Sequence, residues 1–437
     1  MKFYILQNKL VLNSLLIIYV AFWNLIMSKS EILPIVESEK RSIENSIENS
    51  SSKENPFFYR SNLHTDIKQL ITKITDKSDY ISSLTTDLRE DNIKNEFKIP
   101  TYMENYILET KLLSKQFSST NISSLNIGSV DGGVVVKSLA NIDIIAIKAV
   151  GIFINYGKNT INRIKYIPDK HQEIKLVPSF ENFSNTDLEL YSSLQRSILE
   201  LQTGIKVLNE SPATLDYLLM DGSFQLKRSL SVHPEINMLQ GKYFAYLRKL
   251  HNLGQKFGSK IIFVVKDSRL RVFTDLLNQL LPHIITSYPS LYKHDYRNII
   301  DSTRDSNFMY HFLNPKSRSF IINRRFQKDI TEIQDNPFSF YLKIIKNDIP
   351  LRIDFLQPKN KTKEEITSFA DEISELIIPL SEFNSFYSLP APIIEADARA
   401  RINIEEFELI INSLRKMTIG NSIDSIPMRR GRSPFKF

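Results

Sequence analysis

An α/β fold, with a mixed β-sheet flanked by helices and a helical extension before it, is predicted by three observations along the chain. β-branched apolar runs come first, between residues 125 and 154. Helical periodicity then alternates with short apolar runs between 188 and 281, and further strand-like runs lead into two amphipathic helices. With 437 residues, 42% hydrophobic and 11% aromatic, the chain can bury a large core, which excludes wholesale disorder.

Taken in order, residues 1–27 (MKFYILQNKLVLNSLLIIYVAFWNLIM) are nearly all apolar from Leu10 onward. The segment reads as an over-long start, because Met27 opens an ordinary cytosolic beginning; a signal anchor is the other reading. A chain starting at Met27 is expected to be cytoplasmic, with no membrane attachment. Residues 28–60 read as a flexible linker, since Glu37–Asn55 is polar and repeats SIEN. Residues 61–120 read as a helical extension, with Leu, Ile and Tyr at helical spacing over 63–90 and 101–116.

The main domain is expected over 121–420. Leu125–Val136 (LNIGSVDGGVVV) reads as two β-runs joined by a hairpin-like turn at Asp131-Gly132-Gly133. Ile142–Ile154 is long and β-branched, as a buried central strand requires, and Ile161–Ile167 is a shorter strand. Leu190, Leu194, Ile198, Leu201 and Ile205 share one face of a helix over 188–208. Leu215–Asp221 (LDYLLMD) is a strand ending in Asp-Gly-Ser, followed by a helix near 236–253, a strand at Lys260–Val265 and a helix over 269–281. Residues 282–317 read as irregular, a candidate dimer or partner surface. Strands are expected at 318–325, 338–346 and 350–356, and helices at 362–379 and 393–416. Residues 421–437 form a basic tail.

The composition excludes whole classes of chemistry. There are no cysteines, so disulfides, thiolate zinc sites, iron–sulfur clusters and thiol nucleophiles are ruled out. The seven histidines form no His-Glu-x-x-His pattern. A metal site must therefore rest on Asp and Glu, which suits Mg²⁺ or Mn²⁺. The net charge of +7 and pI near 9.1 fit a polyanionic partner, and equally an ordinary soluble protein.

Four acids stand out: Asp131 and Asp221, each in an apolar strand and followed by Gly; Glu200 on the amphipathic helix; and Asp397 near the start of the last helix. Partly desolvated carboxylates that converge repel one another unless a cation joins them, and a following glycine lets a phosphate backbone approach. Read singly, each has a plainer meaning: Asp-Gly is a common turn, Glu200 a solvated helix residue, Asp397 a cap or surface acid. Lys266, closing the strand in VVKDSR, is placed to bind phosphate with Arg269 assisting; alternatively, Asp267 or Ser268 caps the next helix. Tyr341 and Arg352 read as a core tyrosine and a surface arginine, with nucleic-acid contact the sharper alternative. Arg429, Arg430 and Arg432 read as solvated tail.

In sequence order, SVDGG (129–133), RSILE (196–200), LLMDGSF (218–224), FVVKDSR (263–269) and PAPIIEADARARI (390–402) resemble the motifs of the NurA nuclease family. The resemblance implies an RNase H-like core and Mn²⁺- or Mg²⁺-supported DNA cleavage, with two ions at the site. It also implies single-strand endonuclease and 5′–3′ exonuclease activity in double-strand break resection, a homodimer, and a HerA-type hexameric ATPase as partner. Asp131, Glu200 and Asp221 match the family's metal-binding carboxylates. Asp397 stands where many members carry His, and Asp-Gly-Gly stands at the first motif in place of Asp-Gly-Ser. The alternative is a non-catalytic RNase H-like subunit that clamps DNA for such a translocase. A membrane-anchored protein of unrelated function rests on the first 27 residues alone.

Overall fold

The structure, a computed structural model, describes residues 58–418 apart from short segments at 95–98, 110–113, 119–120, 140–141, 158–162, 169–173, 226–232, 286–287, 327–334 and 385–386. The apolar segment 1–27, the expected linker and the arginines of the tail lie outside the described residues. The chain divides into two compact units, up to Thr75 and from Asp76. The described part of the first is helical from Phe58.

The elements run as follows. Helix α1 (Phe58–Lys94) precedes β1 (Ser114–Gln116), β2 (Asn126–Ser138), β3 (Asp143–Asn155), β4 (Ile164–Ile167) and β5 (Lys175–Ser179). Then come α2 (Asn185–Glu210), β6 (Tyr217–Asp221), α3 (Pro234–Phe257) and β7 (Lys260–Val265). Three helices follow: α4 (Val272–Ile284), α5 (Tyr296–Asp301) and α6 (Asp305–Phe312). Four strands come next: β8 (Ser317–Ser319), β9 (Ile322–Asn323), β10 (Asn336–Lys343) and β11 (Leu351–Gln357). The described chain ends with α7 (Lys363–Ser381), α8 (Ala391–Ala400) and α9 (Ile404–Thr418).

One sheet of eleven strands has the order β1-β8-β10-β11-β7-β6-β2-β3-β4, with β5 added to β3 and β9 to β10. β2, β3 and β4 form an antiparallel meander, while β6 runs parallel to β2 and β7 parallel to β6. Meander, helix, parallel strand, helix, parallel strand is the arrangement expected of an RNase H-like core; β11, β10, β9, β8 and β1 extend it beyond β7, while β5 pairs with β3 at the meander end. The expected α/β class and mixed sheet are observed.

Both faces of the sheet are covered, so the parallel strands read as unbroken apolar runs. On one face, Val130, Leu218, Met220 and Phe263 pack with Leu194, Ile198 and Leu201 of α2 and Leu247 and Leu250 of α3. On the other, Ile127, Leu219, Ile262, Val264 and Ile353 pack with Ile366, Ile373 and Ile377 of α7 and Ile393 of α8. Ile127 and Val130 thus serve opposite faces, as the two-residue period of a strand demands. A third cluster joins Ile81, Leu84 and Leu88 of α1 to Phe273, Leu277 and Phe308.

Several expectations are corrected. The described residues of 101–116 form no α-helix: after a short 3₁₀ turn at Thr101–Met103 the chain is drawn to the sheet, where Ile107 bridges Ile322 and the Leu108 N–H donates to the Ile321 carbonyl. Sheet pairing outweighs the local helical period there. Residues 282–317 are not irregular but carry α5 and α6, of six and eight residues, too short for periodicity to be seen. The expected helix over 393–416 is two helices. A break at 401–403 lets Ile402, Phe407 and Ile411 pack on Leu139, Ile144 and Ala146.

Candidate metal centre

The hairpin-like turn expected at Asp131-Gly132-Gly133 does not exist: β2 runs straight through it, paired residue for residue with β3. The glycines have another cause. A Cβ on Gly132 would lie 2.5 Å from Glu200 Oε1, and one on Gly133 would lie 2.3 Å from the Ala400 carbonyl oxygen. Gly132 therefore lets the carboxylate of α2 come down on one face of β2, and Gly133 lets α8 close on the other. A serine at 133 would collide with the α8 backbone. That accounts for Asp-Gly-Gly where Asp-Gly-Ser was expected.

Register brings the acids together. Val130 is level with Met220 of the parallel neighbour, so Asp131 sits beside Asp221, the last residue of β6. Gly222, at φ +97°, then turns the chain away. Helix α8 packs on β2 and β3 and delivers Asp397. Asp131, Asp221 and Asp397 each present a carboxylate oxygen, and the three oxygens lie within 4.8 Å of one another, a group able to hold a metal ion. Glu200 does not belong to that trio. Buried on α2, it pairs at 3.5 Å with Nε of Arg196, one helical turn earlier. Glu200 Oε1 and Arg196 Nε are nonetheless buried without a hydrogen-bond partner. Lys266, at the end of β7, places Nζ 3.1 Å from Asp221 and 3.5 Å from Asp397.

The electrostatics are strained. Burial, then the charges of Asp221 and Glu200, push the Asp131 carboxyl up to about 8, although the Gly132 N–H donates to it at 2.6 Å. Burial raises Glu200 to about 7, with Arg196 opposing and Asp221 adding to the rise. Burial would lower the Lys266 ammonium, but Asp221 and then Asp397 outweigh it and hold the charge on. Asp131 and Glu200 thus keep their protons well above the usual carboxylate range in the protein alone. A hard divalent cation would relieve the repulsion, and an all-carboxylate donor set with a buried orphan acceptor suits one.

The other candidates fall as follows. Neither Asp267, at φ +54°, nor Ser268 caps α4; that is done by Asp305, whose carboxylate accepts from the Phe273 and Thr274 N–H groups at 2.9 and 2.8 Å. Tyr341 is a core residue as expected. Arg352 is not on the surface: it is 4% exposed and bonded to Asp354. Sequence reasoning missed three residues. Arg196 was signalled by its four-residue spacing from Glu200. Ser223 and Asp354 carried no signal apart from a polar alternation that reads as a solvated face.

Comparison with known proteins adds the following. The family model described as the NurA domain matches residues 125–402. The crystal structure of the NurA nuclease from Sulfolobus solfataricus aligns with 82% of this chain and 97% of that one, at 13% identity and a TM-score of 0.52. At that identity the likeness is one of fold. A crystal structure of NurA bound to dAMP and manganese aligns with 80% of this chain and 98% of that one, at 13% identity and a TM-score of 0.40. No curated protein matches the chain.

Proposed function

The chain belongs to the NurA family, and on that premise we propose that it is a divalent-metal-dependent nuclease whose substrate is DNA. One observation carries the reading: the convergence of Asp131, Asp221 and Asp397 at the carboxyl end of the parallel strands, with Lys266 beside them. The choice of ion follows from the all-oxygen donor set, which suits Mn²⁺ or Mg²⁺.

Asp131, Asp221 and Asp397 would hold Mn²⁺ or Mg²⁺, and Glu200 would join them by turning from Arg196 across Gly132. Two such ions, when bound, supply Lewis acidity to a phosphodiester and make water a nucleophile near neutral pH. The chain's own residues do the rest. Lys266, charged and half-exposed, meets a non-bridging phosphate oxygen and stabilises the negative charge that grows there. Gly222 has open space where a side chain would be, so a sugar–phosphate backbone can approach the end of β6. Arg196 keeps Glu200 compensated until the site is loaded.

The finer reading follows the family: single-strand endonuclease and 5′–3′ exonuclease action in double-strand break resection, as a cytoplasmic homodimer serving a HerA-type ATPase. No helix among the described residues is long and apolar enough to cross a membrane. The test is cleavage of an end-labelled single-stranded DNA with Mn²⁺ or with EDTA, beside Asp131→Ala. Cutting that requires both the ion and Asp131 is expected. A folded protein that binds DNA and never cuts would replace this reading with a non-catalytic clamping subunit.

A further inference from the structure

Two chemistry-bearing residues of the site end neighbouring parallel strands in the same way. Asp221 ends β6 and is followed by Gly222 at φ +97° and then Ser223; Lys266 follows β7 and leads to Asp267 at φ +54° and then Ser268. Asp-Gly-Ser and Lys-Asp-Ser are therefore one local device used twice: a strand end, a left-handed residue, and a serine turned inward. The two serines go to the same place. Ser223 Oγ donates to Asp354 Oδ2 at 2.6 Å, and Arg352 Nη1 donates to Ser268 Oγ at 2.8 Å.

Arg352 and Asp354 stand two residues apart on β11, side by side on one face. Arg352 donates from Nε to Asp354 Oδ1 at 2.9 Å and from Nη2 to Oδ2 at 3.0 Å. Asp354 is wholly buried and also accepts from Ser339 Oγ at 2.7 Å. Arg324 donates to Ser339 and to Gln225, a further residue of the Asp221 loop. From Ser268 the contacts continue to Tyr341 at 3.4 Å, whose hydroxyl donates to Asp305 at 2.9 Å, and Asp305 caps α4.

We propose that Arg352 and Asp354 are positioning residues: their ion pair holds the Asp221 loop through Ser223 and the Lys266 loop through Ser268, and so fixes a metal-binding carboxylate relative to its phosphate-binding lysine. A buried ion pair is a poor way to gain stability, because taking two charges out of water costs about as much as their attraction returns. Directional donors and acceptors at fixed points are what it does supply, and both serines use them. Burial alone would raise the Asp354 carboxyl, but Arg352 and then Arg324 hold it below the usual range, so the anchor stays ionised.

The inference rests on the metal-dependent reading of the site, and the test separates the two. Mn²⁺ affinity is measured by titration for the wild-type chain, Ser223→Ala, Ser268→Ala, Asp354→Asn and the Ser223→Ala/Asp354→Asn pair, with thermal midpoints in EDTA and kcat and KM on single-stranded DNA. Ser223→Ala should weaken Mn²⁺ binding about tenfold, the usual effect of freeing a ligand from its support. Ser268→Ala should not weaken it, because Lys266 is no ligand. Both should lower kcat with KM unchanged. On the Asp354→Asn background, Ser223→Ala should cost little more affinity, since its partner is already altered. Serine variants with wild-type midpoints and this split in affinity support positioning. Ser223→Ala binding Mn²⁺ as tightly as wild type overturns it. A wild type that binds Mn²⁺ but cuts no DNA ends the nuclease reading and leaves the affinity test standing; one that binds no Mn²⁺ ends both.

Discussion

Asp131→Asn should stabilise the metal-free protein while destroying its metal site. In the folded chain the Asp131 carboxyl is pushed to about 8 from an ordinary value near 3.8. Between those values the native state keeps a proton that the unfolded chain has released. The unfolded state then binds fewer protons, so stability falls as pH rises through that window and levels off above it. At pH 7 the group is a little over three decades above its unfolded value, and at about 1.4 kcal/mol per decade the penalty is about 4 kcal/mol. Asparagine is uncharged at every pH and still accepts from the Gly132 N–H, so it removes that penalty. Over roughly 320 described residues, at about 2 cal/mol/K each, this is about 6 °C in thermal midpoint. At pH 4.5 the advantage should shrink to about 1 kcal/mol. Mn²⁺ at about a hundred times its Kd should narrow the gap to about 1 kcal/mol, because it adds about 2.7 kcal/mol to the wild type alone, and at about a thousand times its Kd, about 4.1 kcal/mol, it should close it. The assay is urea unfolding at pH 4.5, 7 and 8.5, in EDTA and in Mn²⁺. A variant no more stable than wild type at pH 7 in EDTA, or an advantage that does not depend on pH, would refute the electrostatic account.

Gly133→Ala should destabilise the fold by about 2–3 kcal/mol and loosen Mn²⁺, because the new methyl lies 2.3 Å from the Ala400 carbonyl and can be relieved only by moving α8 with Asp397; an unchanged urea midpoint would contradict the packing. Lys266→Met should lower kcat about a hundredfold and leave Mn²⁺ affinity equal or tighter, since the ammonium no longer competes for Asp221 and Asp397; a fall in affinity would make Lys266 part of the metal's support instead. Asp397→His, which restores the residue many family members carry, should keep substantial cleavage, and complete loss would show that the position is not equivalent.

What the sequence revealed follows from what is local. β6 and β7 were legible because strands covered on both faces are unbroken apolar runs, and α2 because Leu194, Ile198 and Leu201 repeat at the helical period. Asp131, Asp221, Asp397 and Lys266 were legible as residues, and the structure brings all four together. The glycines after Asp131 were misread because their cause is remote: locally two glycines signal a turn, whereas here they make room for Glu200 and Ala400. Arg352 was misread for a like reason. In LRIDFLQ the alternation of charged and apolar residues reads as a half-solvated strand. Its polar face instead lies against Ser268, Ser339 and Tyr341, beneath the helical cluster of Phe273 and Phe308. That Glu200 stands off the other acids, paired with Arg196, is a matter of side-chain direction that spacing does not encode.

Two sets of charges on the same sheet obey opposite rules. Behind the loops, Asp354 is matched by Arg352 and Arg324, and both oxygens of Asp354 and of buried Asp305 accept hydrogen bonds. At the site, among the described residues, four carboxylates face two partly buried cations, Arg196 and Lys266; Arg401, 4.0 Å from Asp397, is largely exposed and screened. Fully ionised, the site is short of two positive charges, which is what one divalent ion brings. A second ion would overshoot unless anionic phosphate came with it. Mn²⁺ titration of the free protein should therefore find one tight site, with proton release because Asp131 and Glu200 must ionise, and a second site only when DNA is bound. Two equally tight sites in the free protein would mean that Lys266 leaves the carboxylates on loading, and that the charge count of the metal-free fold is not the one that governs binding.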